Sequence, residues 1–186
     1  MSEWFKPDPE FWKKLSYSTL WKRHWEKVEA LREKLIKKFP QLENAMRFGL
    51  GSITDKWLKI PPEEKGEPDI MIYHEYKLLC NIEVSGSDRV KMPNNIWIRP
   101  DKLTHAKGRK EETWFYMEYP NEIRVLTKEI VEQYENNIVT PRIKWDKVRR
   151  TKVLEKYISV LYQDSLDKQR MFEWIAEQKG QRIKDT

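Results

Sequence analysis

The sequence predicts an α/β protein: a mixed-sheet core flanked by helices, followed by a helical C-terminal extension. Three observations lead there. An amphipathic helical pattern over 19–39 precedes a run of short apolar, β-branched segments between 57 and 126; a shorter helical pattern at 100–107 interrupts that run; and from Thr127 the apolar spacing turns helical again. The core with its N-terminal helices is assigned to 1–126 and the extension, packed on it, to 127–186.

In chain order, Asp8-Pro9-Glu10 opens a short helix, with an N-cap, a proline at N1 and an early acid. In 19–39, Trp21, Trp25, Val28, Leu31, Leu35 and Phe39 recur at helical spacing, and Pro40 ends the helix. Residues 57–60, Trp-Leu-Lys-Ile, read as a first strand. Ile70-Met71-Ile72-Tyr73 and the stretch from Leu78 to Gly86 read as a hairpin around the tip His74-Glu75-Tyr76-Lys77. Ile96-Trp97-Ile98 is strand-like. Pro100-Asp101 starts a helix that Gly108 terminates. The aromatic run 113–119 and the segment 122–126 complete the sheet, with Pro120-Asn121 as the turn between them. Thr127 caps a helix to about Glu135, and further helices are expected at 146–162 and 165–179.

Charged residues make up 35% of the chain, above the usual quarter, and lysine and glutamate dominate them, as in many proteins from hot environments. The net charge of +6 suits a polyanionic partner. Cys80, the single cysteine, excludes an intramolecular disulfide and a cysteine-rich zinc cluster, and its apolar strand marks it as a buried small hydrophobe. His24, His74 and His105 form no zinc pattern, and no phosphate-binding glycine loop or serine elbow is present. Trp21, Trp25 and Trp114 are core residues by their spacing, whereas Trp97 is a candidate for exposure. No signal-peptide pattern opens the sequence and no stretch approaches eighteen apolar residues, so an intracellular protein outside the membrane is expected.

The chemistry concentrates in the hairpin. Pro68-Asp69 opens its first strand, and Glu83 lies inside the second between Ile82 and Val84. Side chains alternate along a strand, which places Asn81, Glu83 and Ser85 on one face and lets Asp69 and Glu83 meet. Two carboxylates converging at the end of a sheet suit a hard cation, Mg²⁺ or Mn²⁺.

Pro68-Asp69 followed by Glu83-Val84-Ser85 resembles the signature of the PD-(D/E)xK nucleases, a superfamily that includes restriction endonucleases and archaeal Holliday-junction resolvases. The resemblance implies a restriction-endonuclease-like core and a metal-dependent DNA endonuclease, expected to be a homodimer, acting on duplex or branched DNA. Asp69, Glu83 and the Val84 carbonyl would hold the metal, joined by an acid from the preceding helix: Glu29, Glu33 or Glu43, with Glu29 taken first. The chain departs from the signature at Ser85, where the family carries lysine. Lys102, near the start of the following helix, is the candidate to supply that cation. In the nuclease reading Arg89, Lys91, Arg99 and Lys107 border the DNA groove, and Arg149 and Arg150 belong to the densest basic run, 142–156. The alternative is a nuclease-like module that binds DNA or protein and cuts nothing, for which Ser85 is the motivating feature.

Overall fold

The computed structural model describes residues 21–49, 66–87, 94–140, 142–144, 152–154 and 156–182. The helix expected from Asp8, the strand at 57–60, and Arg89, Lys91, Arg149 and Arg150 lie outside them.

Helix α1 (Trp21–Lys38) is followed by a 3-10 turn at Pro40–Leu42 and a short strand, β1 (Met46–Phe48). The hairpin is β2 (Ile70–His74) and β3 (Lys77–Gly86). Then come β4 (Asn95–Ile98), α2 (Pro100–Lys107), β5 (Glu112–Tyr119), β6 (Glu122–Thr127) and α3 (Lys128–Gln133). The remainder supplies β7 (Ile138–Val139), β8 (Arg142–Lys144), β9 (Lys152–Leu154), β10 (Tyr157–Leu161), β11 (Leu166–Asp167) and α4 (Lys168–Arg182). Among the described residues no helix is long and apolar enough to cross a membrane.

The main sheet has six strands in the order β1-β2-β3-β5-β6-β11 and is mixed: β3 and β5 run parallel, while the other neighbours are antiparallel. One face packs Cys80, Ile82, Val84, Trp114 and Tyr116 against Val28, Leu31 and Leu35 of α1 and Met171, Phe172 and Ile175 of α4. The other packs Phe115 and Met117 against Leu103 and Ala106 of α2, Val131 of α3, and Ile96, Ile98, Ile158 and Val160 of the small sheet β4-β10-β7. The predicted mixed sheet flanked by helices is therefore present, with both faces covered. Each fully buried Leu or Ile contributes about 1.5–3 kcal/mol to this core.

Thr127 caps α3 as its type predicts, its side chain accepting the Ile130 N–H. At α4 the cap is Asp167, which accepts the Gln169 N–H at 2.8 Å. The helix expected at 146–162 is corrected: β9 and β10 occupy its second half. The apolar residues there satisfy both the helical and the strand period, and pairing of β10 with β4 and β7 decides between them. Ile158 and Val160 pack into the core from β10, Ser159 between them is buried with hydrogen bonds to Asn95 and Asn137, and Leu161 is exposed. Trp97, on the paired strand β4, is exposed and lies against Tyr157 with ring centroids 5.8 Å apart.

The hairpin register pairs Ile70 with Ile82 and Ile72 with Cys80, then shifts so that Tyr73 faces Leu78. Leu79 is the extra residue of this bulge, which lets Leu79 and Cys80 enter the core in succession. Burial pushes the Cys80 thiol pKa well up, so it is an inert core residue. At the tip, Glu75 and Tyr76 both have positive φ, 47° and 65°, in a two-residue turn that favours Asn-Gly. Tyr76 is fully exposed and loses no packing when shortened. Tyr76→Gly is therefore expected to stabilise the protein by about 1 kcal/mol, read as a rise in Tm of about 2–4 °C. An unchanged or lower Tm would contradict this account of the turn.

Candidate active site

The site forms where the start of β2 lies against the second half of β3. β2 starts immediately after Pro68-Asp69, and one step beyond the Ile70–Ile82 pair the register brings Asp69 opposite Glu83. Val84 donates its N–H to Asp69 Oδ2 at 2.7 Å, so the carboxylate stands where a backbone carbonyl would have continued the ladder. Asp69 Oδ1 lies 2.8 Å from His24 Nε2, on the first turns of α1. His24 faces the sheet because it is in helical register with the core residues Val28, Leu31 and Leu35.

Glu83 is buried and holds two cations. Lys102 Nζ donates to Oε2 at 2.6 Å, and Arg109 Nη1 donates to Oε1 at 3.0 Å. The crossover from β3 to its parallel neighbour β5 passes through β4 and α2, which sets the first turn of α2, with Lys102, over Glu83. Arg109 follows the end of α2, its N–H turned back to the Ala106 carbonyl. Its Nη2 also donates to the carbonyl of Gly66. Gly66 has a φ of +92°, and a Cβ there would fall 2.4 Å from the His105 ring, so only glycine lets this carbonyl approach. His105 thus packs against the approach to the site. Gly86 closes the far side: its φ is +123°, and a Cβ would fall 1.8 Å from the Glu118 carbonyl oxygen.

The two acids are almost closed to solvent, 5% exposed for Asp69 and 2% for Glu83, whereas the side chains of Lys102 and His24 are 32% and 31% open. Burying a carboxylate costs several kcal/mol unless it is paired, and all four oxygens here accept from at least one donor. Asp69 and Glu83 carry two negative charges, and Lys102 and Arg109 two positive ones. Burial acts to lower the Lys102 pKa but is outweighed by the charges of Glu83 and Asp69 and the hydrogen bond to Glu83, which leave it well above 10.5. Lys102 is therefore a fixed cation and a hydrogen-bond donor at neutral pH, not a base.

The other sequence candidates are placed as follows. Ser85 is exposed two residues beyond Glu83. Glu29 pairs with Arg32 at 3.5 Å, and Glu33 and Glu43 are exposed, so the α1 residue against Asp69 is His24 rather than an acid. Arg99 grips Asp101 through two hydrogen bonds, of 3.1 and 2.8 Å, and Lys107 pairs with Glu135 at 2.8 Å, all on the surface. His24 and Arg109 entered no motif. For His24 the available signal was its register with the apolar face of α1. For Arg109 the local sequence carries none.

Among the described residues no group of three or more His, Cys, Asp or Glu side chains is arranged to hold a metal ion. The Asp69–Glu83 donor set nevertheless fits a hard cation. Each Glu83 oxygen keeps a second lone pair beyond its observed donor, and Mg²⁺ is commonly held by one or two carboxylates, with water and phosphate completing its shell.

No protein-family model and no curated protein matches the chain. Among solved structures it is similar to the Holliday junction resolvase Hjc of Archaeoglobus fulgidus, an archaeal hyperthermophile. The identity is 12% and the TM-score 0.43, over 76% of this chain and 93% of that one.

Proposed function

We propose that the chain is a Mg²⁺- or Mn²⁺-dependent DNA endonuclease of the PD-(D/E)xK type, acting as a homodimer on duplex or branched DNA. The observation that carries this reading is the ammonium of Lys102, 2.6 Å from Glu83, beside the position that Ser85 leaves without a cation. Asp69, Glu83 and the Val84 carbonyl would hold the metal. When bound, the cation supplies Lewis acidity, polarising the phosphate and lowering the pKa of a bound water. Lys102 donates a hydrogen bond toward the attacking water and offsets the negative charge that grows on phosphorus-bound oxygens. His24 and the Val84 N–H fix the Asp69 carboxylate. With the acids buried and Lys102 and His24 partly open, substrate approaches across these two side chains.

A second reading, a nuclease-like module that binds DNA without cutting it, is favoured by Ser85 and by the charge balance that Arg109 brings to Glu83. One experiment separates the two. Supercoiled plasmid and a four-way junction are incubated with wild type and Asp69→Asn, in Mn²⁺ and in EDTA. The nuclease reading expects Mn²⁺-dependent cutting that falls by about 100-fold or more in the variant. Equal cutting in EDTA, or DNA binding with no cutting in any metal, overturns it.

A further inference from the structure

We infer that Arg109 is a phosphate-positioning residue which Glu83 holds in reserve, and that a divalent cation and a DNA phosphate together draw it off the carboxylate, so that each raises the other's affinity. The inference rests on the nuclease reading and adds to it a residue outside the sequence signature.

The geometry of the guanidinium is the reason. Arginine presents paired N–H donors that match a carboxylate or a phosphate two bonds at a time. Arg109 makes no such fork here. Glu83 gives it one oxygen, because Lys102 holds the other, and its second bond runs to the neutral carbonyl of Gly66. One carboxylate charge is thus shared by two cations. A dication arriving at Glu83 meets Arg109 on Oε1 and repels it, and a phosphate offers the displaced guanidinium the two-point partner it lacks. The rest of the residue is anchored for such a swing. Its N–H bonds to the Ala106 carbonyl at 3.1 Å, its own carbonyl accepts from Lys128 Nζ at 3.4 Å, and its side chain is 15% exposed. Coupling of this kind is reciprocal: whatever factor DNA adds to metal affinity, metal adds to DNA affinity.

The test uses the full chain. Mn²⁺ is titrated calorimetrically into wild type, Arg109→Gln and Glu83→Gln without DNA. Fluorescence anisotropy then measures binding of a four-way junction with and without Ca²⁺, chosen to avoid cleavage. Arg109→Gln is expected to bind Mn²⁺ about tenfold more tightly than wild type, and the Ca²⁺-dependent gain in junction affinity, about tenfold in wild type, should shrink to about twofold. If Arg109→Gln binds Mn²⁺ no more tightly while Glu83→Gln abolishes the site, the inference is wrong and the nuclease reading stands. If Glu83→Gln leaves the Mn²⁺ site intact, both fall. Should Arg109→Gln fail to fold, Arg109→Lys decides: it keeps the charge but not the fork, so metal affinity should stay at the wild-type level while the coupling disappears. Full coupling in Arg109→Lys overturns the inference.

Discussion

Glu83→Ala is expected to cost about 3–5 kcal/mol of folding stability, read as a lowered urea midpoint, and to remove the Mn²⁺ site at the same time. The size follows from what the carboxylate holds. Lys102 and Arg109 both meet it within 3.0 Å, and Glu83 is 2% exposed. Deleting it leaves two cations facing each other across a desolvated gap with Asp69 as the remaining acid. Breaking a buried pair by removing one partner is much more costly than replacing the whole pair with groups of similar shape. The double variant Glu83→Gln/Lys102→Met should therefore be more stable than Glu83→Ala, a coupling that residues in direct contact are expected to show. An urea midpoint for Glu83→Ala equal to that of wild type would mean the cluster is hydrated and weak.

Lys102→Ala is expected to lower cleavage by about 100- to 1,000-fold while the protein still folds and binds Mn²⁺. Glu83 keeps Arg109 in this variant, so no buried charge is stranded. What disappears, in the proposed nuclease, is the donor meant for the reacting phosphate. Ser85→Lys in the Lys102→Ala background should restore part of the activity, because residue 85 lies two positions beyond Glu83 on β3. Cleavage by Lys102→Ala at the wild-type rate would remove the lysine from the mechanism. The same pair has a signature in stability. The folded-state pKa of Lys102 is raised above its ordinary 10.5, so its stabilising effect is complete below that pH and is lost as pH rises through the folded value. The stability gap between wild type and Lys102→Ala should thus be flat from pH 6 to 9 and shrink only in strong alkali.

Much of the molecule was legible because it is local. The hairpin needs only a period-two pattern and a tip, and its two acids are 14 residues apart across one turn, so register alone brings them together. The residues 100–107 declare a helix through Pro100 and Gly108, and Lys102 in its first turn reaches Glu83. Helix α1 follows from apolar spacing, and the cap of α3 from residue type.

What the sequence by itself determined is therefore the class of fold, the carboxylate pair and the candidate lysine, each carried by a short-range pattern. Tertiary structure decided the rest. The apolar residues of 152–161 fit a helix as well as a strand, and the outcome came from β-strand partners: β4, which lies about 60 residues earlier, and β7. His24 and Arg109 reach Asp69 and Glu83 across separations of 45 and 26 residues. Contacts of that kind depend on which face of a helix the core claims and where a loop ends, and both are set by burial of apolar surface over the whole domain rather than by neighbouring residues.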